Sequence, residues 1–123
     1  MARKKILIVD DSETSLMMSR MILSKASYDI VVAKDGAEGV EKALAERPDL
    51  ILLDVVMPKM NGFEACARIR GEEATKATPV IIVTTRGEET NVETGFSAGC
   101  NDYITKPVNG LELLTKVRSL LGD

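Results

Sequence analysis

Short apolar segments alternate with longer amphipathic segments along the chain. Five segments rich in Val, Ile and Leu are predicted to be strands: "KILIV", "DIVVA", "DLILL", "VIIVT" and "DYIT". At least the first, third and fourth are apolar at nearly every position, which is typical of parallel strands covered on both faces. The pattern therefore predicts a sheet that lies between two layers of helices.

The segments between the strands have apolar residues three and four positions apart, as in amphipathic helices. The first helix follows the capping candidates Asp11 and Ser12, and the second is stopped by Pro48, which disfavours helix in the residue before it. Two further helices are predicted over residues 62–70 and 88–98. The fifth, over residues 109–121, has apolar residues on two sides, so that one side can pack on the sheet and the other is available to a partner.

Five strands that alternate with five helices predict right-handed crossovers and a doubly wound α/β fold, with helices on both faces of a parallel sheet. The flavodoxin-like strand order 2-1-3-4-5 suits five strands, although the pattern alone does not determine the order. The chain has 123 residues, the size of one domain, and we expect residues 1–123 to form a single domain.

Composition and charge exclude several functions. The net charge is −3 and no basic run is longer than "RKK", so DNA binding by this chain alone is not expected. The chain has no His and only two Cys, far apart, which excludes the usual zinc sites and predicts free thiols. No apolar run is long enough for a signal peptide or a membrane span, and we expect a cytoplasmic protein.

Polar residues follow the strands at the edge where such sheets bind ligands. Asp10 and Asp11 follow the first strand, Asp54 follows the apolar run of the third, and Thr84 and Lys106 lie at the ends of the fourth and fifth. Strands one and three are neighbours in the predicted order, so three carboxylates share one crevice. Two like charges about 4 Å apart repel by roughly 4 kcal/mol, and the site therefore requires a cation or a protonated carboxyl group.

An all-oxygen cluster with few protein ligands suits Mg²⁺. Beside such an ion, Asp54 can act as a nucleophile on phosphorus and form an aspartyl phosphate. The metal, the Lys106 ammonium and the Thr84 hydroxyl would neutralise charge on the phosphoryl oxygens. Taken singly, most of these residues have ordinary explanations, such as helix capping by Asp11, but their conjunction at one edge favours phosphorylation of Asp54.

Four motifs spread over the whole chain, "ILIVDDS", "LDVVMPKMNG", "VIIVTT" and "DYITKP", resemble the receiver (response-regulator) domains of bacterial two-component signalling, of the chemotaxis-receiver type. The resemblance implies that Asp54 is the phosphoacceptor and that Asp10, Asp11 and Asp54 hold Mg²⁺ together with the backbone carbonyl of Val56. It also implies a cis peptide bond between Lys106 and Pro107.

The resemblance further implies a switch. Thr84 is drawn towards the phosphate, Lys106 pairs with it, and the aromatic residue Tyr103 turns inward, although Tyr103 alone would be read as an ordinary strand tyrosine. The surface of the fourth helix, fifth strand and fifth helix then changes its preference for partners. The implied donor is a histidine kinase or histidine phosphotransfer protein, and the implied output is a protein target or a fused output domain. A homodimer through the fifth helix is left open.

Three residues depart from the commoner choices in this family: Val56, Thr85 and Arg86. Thr85 adds bulk beside the phosphoryl group. We hypothesise that Arg86 reaches the phosphoryl oxygens while Val56 gives the hydrolytic water no hydrogen-bond partner, so that dephosphorylation is slow.

Two other functions compete with a signalling domain that has no external substrate. A small Mg²⁺-dependent phosphatase with an aspartyl-phosphate intermediate commonly has a DxD motif and a cap, whereas here "VV" follows Asp54 and no segment is long enough for a cap. A flavodoxin-like electron carrier needs a phosphate-binding loop and aromatic residues around the flavin. The segment "DDSETS" opens with two acids, and aromatic residues are only 3% of the chain, so both alternatives are weak.

Overall fold

One five-stranded parallel sheet forms the centre of the molecule. The computed structural model describes residues 3–55, 57, 60–85 and 97–122. The strands are β1 (Lys5–Val9), β2 (Asp29–Ala33), β3 (Leu50–Asp54), β4 (Val80–Thr85) and β5 (Asp102–Lys106). Their order in the sheet is β2-β1-β3-β4-β5, which confirms the predicted flavodoxin-like order.

Four helices lie in the part of the chain that the structure describes: α1 (Glu13–Ser24), α2 (Gly36–Glu46), α3 (Gly62–Gly71) and α4 (Gly110–Leu121). Helix α4 is the fifth helix of the sequence prediction. The predicted fourth helix, residues 88–98, lies outside the described residues except at its end, where residues 97 and 98 are helical.

Each of these four helices begins at a side chain that caps it. Ser12, Asp35, Asn61 and Asn109 each accept a hydrogen bond from the backbone N–H three residues further on. Such residues satisfy backbone donors that have no partner within the helix. For α1, the cap is Ser12 rather than Asp11, which leaves the Asp11 carboxylate available to the sheet edge.

The core has two apolar layers, one on each face of the sheet, because successive strand residues point to opposite faces. On one face, Leu7 and Ile51 pack with residues of α2 and α3 such as Ala43 and Ile69. On the other face, residues such as Ile8 and Leu52 pack with α1 and α4. Every residue of β3 is buried, as its continuous apolar run predicts.

Helix α4 uses one of its two apolar sides for the core. Leu113 and Val117 are fully buried, whereas Leu111 on the other side is 77% exposed. Cys66 and Cys100 are buried free thiols, as predicted. Among the described helices, none has the length and apolar character needed to cross a membrane.

Candidate functional site

Three carboxylates meet where β1 and β3 end. The two strands pair directly, so that Asp10 follows β1 beside Asp54, the last residue of β3. Asp10 and Asp54 are each only 5% exposed, and Asp11 is exposed. One carboxylate oxygen from each of the three residues lies within 4.8 Å of the other two. The predicted crowding of three acids at the sheet edge is therefore present.

The start of α1 holds Asp10 in place. The backbone N–H of Ser12 donates a hydrogen bond of 2.9 Å to Oδ1 of Asp10. The same Ser12 caps α1 with its side chain, so one short segment both begins the helix and orients the carboxylate. The second oxygen of Asp10 remains directed to the other charged groups of the site.

Lys106 supplies the cation that the carboxylates need. Its Nζ atom lies 3.3 Å from Oδ1 of Asp54 and 3.4 Å from Oδ2 of Asp10. Because β4 lies between β3 and β5, this side chain crosses the end of β4 to reach both acids. One ammonium therefore bridges two buried carboxylates that come from different strand ends.

The pKa of Asp54 is higher than that of an ordinary aspartate. Burial, followed by the nearby charge of Asp10, raises the pKa of Asp54 from 3.8 to about 6, although the Lys106 ammonium opposes the increase. Burial by itself lowers the pKa of Lys106, but the carboxylates of Asp54 and Asp10 outweigh it and raise that pKa overall. Asp54 is thus largely ionised at pH 7, yet its charge is incompletely compensated.

The donor set fits a hard cation. All three side chains offer carboxylate oxygens that are close enough together to bind one ion, and a hard cation such as Mg²⁺ prefers oxygen ligands. An ion there would add the positive charge that Lys106 alone does not supply. Val56, whose backbone carbonyl the resemblance adds to this set, lies outside the described residues.

Thr84 and Tyr103 lie at different distances from this cluster. Thr84 is 2% exposed and follows Val83, the residue of β4 that pairs with Asp54, which brings Thr84 to the same sheet edge. Tyr103 is half-buried and lies three residues before Lys106 on β5, about 10 Å along an extended strand.

The Lys106–Pro107 peptide bond is cis, as the resemblance implies.

Two contacts in this region have no signal in the sequence. The N–H of Gly62, the first residue of α3, bonds to the carbonyl of Val55 and so holds the segment after Asp54. Lys116 of α4 places its ammonium 4.7 Å from the ring centre of Tyr103. Both contacts depend on the relative placement of a helix and a strand, which local patterns do not specify.

The hypothesis of slow dephosphorylation concerns residues that the structure does not describe. Val56 and Arg86 lie outside the described residues, as does the side chain of Thr85. The effect of these three residues on the lifetime of the phosphoryl group stays a prediction.

A model of one protein family matches most of the chain. The family is described as the response regulator receiver domain, and the match covers residues 6–118. Among curated proteins, the chain is 42% identical over 118 residues to the protein PilH of Pseudomonas aeruginosa, a match that covers 96% of this chain and 98% of PilH. It is 38% identical to the alkaline phosphatase synthesis transcriptional regulatory protein PhoP of Bacillus subtilis, covering 96% of this chain but 48% of PhoP. The chain thus spans about half the length of this second relative.

Solved structures show the same similarity. The chemotaxis protein CheY4 of Vibrio cholerae superposes with a TM-score of 0.91 at 35% identity, covering 98% of this chain and 100% of that one. The receiver domain of the sensor histidine kinase PA1611 of Pseudomonas aeruginosa superposes with a TM-score of 0.91 at 30% identity, covering 99% and 100%. The latter structure is described as having a magnesium ion coordinated in its active site cleft.

Proposed function

This chain belongs to the response regulator receiver domains of two-component signalling, and on that premise we propose that Asp54 is its phosphoacceptor. One observation carries the proposal: a buried carboxylate with a raised pKa is bridged by Lys106 to a second acid at a sheet edge. A purely structural ion pair would not require the third carboxylate, Asp11, close beside the other two.

The chemistry proposed for Asp54 is phosphoryl transfer from a phosphorylated histidine of a donor protein. A carboxylate oxygen of Asp54 attacks the phosphorus atom and forms an O–P bond, while the P–N bond to the donor imidazole breaks. The electron pair of that bond stays on the leaving nitrogen. Lys106, already at Asp54, neutralises charge on the transferred group, and Thr84 donates its hydroxyl hydrogen to a phosphoryl oxygen.

We assign metal binding to Asp10, Asp11 and Asp54, with the backbone carbonyl of Val56 as a further ligand. The oxygen-only donor set supports Mg²⁺, and the described magnesium ion in the PA1611 receiver domain supports the same choice. When bound, Mg²⁺ would supply positive charge to the phosphoryl oxygens. Within the chain, the start of α1 supports this site by holding Asp10 through the N–H of Ser12.

The partners that we propose follow from the family and from the composition. The chain has no His, so its phosphoryl group comes from a histidine kinase, a histidine phosphotransfer protein or a small phosphodonor. The output is a protein target or an attached output domain, selected through the surface around β5, Tyr103 and α4. The exposed Leu111 side of α4 is available to a second copy of the chain. We further propose that residues 1–123 form one domain that turns over no external substrate.

Acetyl phosphate tests the proposed function without a partner protein. We expect the intact mass of the native protein to increase by one phosphoryl group in Mg²⁺ and not in chelator. Asp54→Asn should gain none. Asp29→Asn removes an exposed carboxylate at the opposite edge of the sheet and should behave like the native protein. An equal gain in Asp54→Asn, or no gain in the native protein, would contradict the proposal.

A further inference from the structure

The side chain of Lys116 starts from a helix on one face of the sheet and reaches around the outer edge of β5 to a ring on the other face. Its helix, α4, packs on the face to which Ile104 points, whereas the ring of Tyr103 packs against the core on the opposite face. The Lys116 ammonium nevertheless lies 4.7 Å from the centre of the Tyr103 ring. Among the strands that the structure describes, β5 lies at the edge of the sheet, so none of them blocks this path.

The same ammonium also binds the backbone of Tyr103. Lys116 Nζ donates a hydrogen bond of 2.5 Å to the Tyr103 carbonyl oxygen. Two carboxylates keep the ammonium there, with Oδ1 of Asp102 at 3.2 Å and Oε2 of Glu112 at 3.6 Å. Lys116 therefore contacts both the backbone and the ring of Tyr103, while its charge is balanced by groups on β5 and α4.

The environment favours a strong contact between the cation and the ring. The Lys116 side chain is only 23% exposed, and the ring is half-buried. Attraction between an ammonium and an aromatic face increases as water is removed from around them. Moving the Tyr103 ring away from the Lys116 ammonium therefore costs free energy.

We propose that Lys116 is a positioning residue that holds the Tyr103 ring in its unphosphorylated orientation. The inference rests on the proposed function and on the switch that the family resemblance implies, in which Tyr103 turns inward when Asp54 is phosphorylated. Because the ammonium reaches the ring around the outer edge of β5, a ring that turned inward towards β4 would lie farther from it, so the contact would favour the unphosphorylated conformation. Coupling between two sites is reciprocal, and loss of the contact therefore favours phosphorylation.

The contact itself can be tested in the unphosphorylated protein. The chain has two tyrosines, so the ring resonances of Tyr103 can be followed by NMR with the buried Tyr28 as an internal reference. In Lys116→Met, the Tyr103 resonances should move while those of Tyr28 stay. Lys116→Arg keeps a cation and should restore the native positions. The control Lys42→Met removes an ammonium that pairs with Glu38 and bonds to the Val32 carbonyl at the other edge of the sheet, and it should leave the Tyr103 resonances unchanged.

The consequence can be tested with acetyl phosphate and Mg²⁺. We expect Lys116→Met to be phosphorylated about two- to fivefold faster than the native protein, because a contact of this kind biases the equilibrium by that factor. Lys116→Arg and the control Lys42→Met should react at the native rate. A native rate in Lys116→Met, or unchanged Tyr103 resonances, would overturn the role of Lys116. Failure of the proposed function would give a different result, because the native protein itself would then remain unphosphorylated.

Discussion

Burial of the Asp54 carboxylate costs stability as long as its side chain is charged. Its pKa in the folded protein is raised from 3.8 to about 6 by burial and by Asp10, so the folded state holds the proton more tightly than the unfolded state. Between these two values, the free energy of unfolding falls as the pH rises, and above about pH 6 the full cost is present. The proposed phosphoacceptor, Asp54, thus carries a charge that opposes folding.

Asp54→Asn should therefore stabilise the metal-free protein. A shift of this size, which already includes the opposing charge of Lys106, corresponds to about 3 kcal/mol. We expect a gain of about 1–3 kcal/mol at pH 7.5, because the buried amide must also be removed from water. Urea unfolding in chelator measures it. The gain should be roughly half as large at pH 5 and disappear as the pH falls below 3.8.

An exposed carboxylate provides the control for this experiment. Asp29→Asn changes an acid that is half exposed and pairs with Arg3, and it should change the free energy of unfolding by less than about 1 kcal/mol. A destabilised Asp54→Asn, or a gain that grows as the pH is lowered, would contradict the electrostatic account.

The side chains of the site were largely predictable from the sequence, because each follows a recognisable strand. Asp10, Asp54 and Lys106 meet as expected once parallel strands end at a common edge. The contact of Lys116 with Tyr103 was not predictable, since it joins a helix on one face to a ring on the other. No local pattern of charge or hydrophobicity encodes a contact that passes around a strand.

The start of α3 fixes the segment that follows Asp54. A Cβ atom on Gly62 would collide with the carbonyl oxygen of Asp54, so only glycine allows this close approach of helix and strand. At the other end of the same helix, a Cβ atom on Gly71 would meet nothing within 4 Å. The two ends of α3 therefore differ sharply in their tolerance of a side chain.

Gly62→Ala should lower the free energy of unfolding by about 1–3 kcal/mol and slow phosphorylation by acetyl phosphate, because the backbone beside Asp54 must move. Gly71→Ala is the matched control and should leave stability unchanged or raise it by up to about 1 kcal/mol. Chemical unfolding and intact-mass kinetics measure the two effects. Equal behaviour of the two variants would show that α3 does not constrain the site.

Helices and strands were predicted well where local signals are strong. The strand predictions differ from the structure by at most one residue at either end, as for β3, which is Leu50–Asp54 rather than 49–53. Helix α2 ends just before Pro48, with Arg47 in a left-handed conformation. The sequence does not distinguish Asp11 from Ser12 as the cap of α1, because both residue types cap helices and only the fold directs Asp11 to the sheet edge.

The whole molecule creates the site through its strand order. Residues far apart in the chain, Asp10, Asp54 and Lys106, are neighbours only because β1, β3, β4 and β5 lie side by side. Hydrophobic pattern indicates the strands and the two helical layers but does not distinguish one parallel order from another. The predicted order therefore rests on known architectures, and the structure confirms it.

Locating the phosphoryl group on the chain tests whether Asp54 receives it. After reaction with acetyl phosphate in Mg²⁺, borohydride reduces an aspartyl phosphate to homoserine, which peptide sequencing by mass spectrometry can place. We predict homoserine at position 54 and at no other aspartate. Homoserine at position 10 or 11, or a phosphoryl group on a hydroxyl side chain instead, would contradict the account.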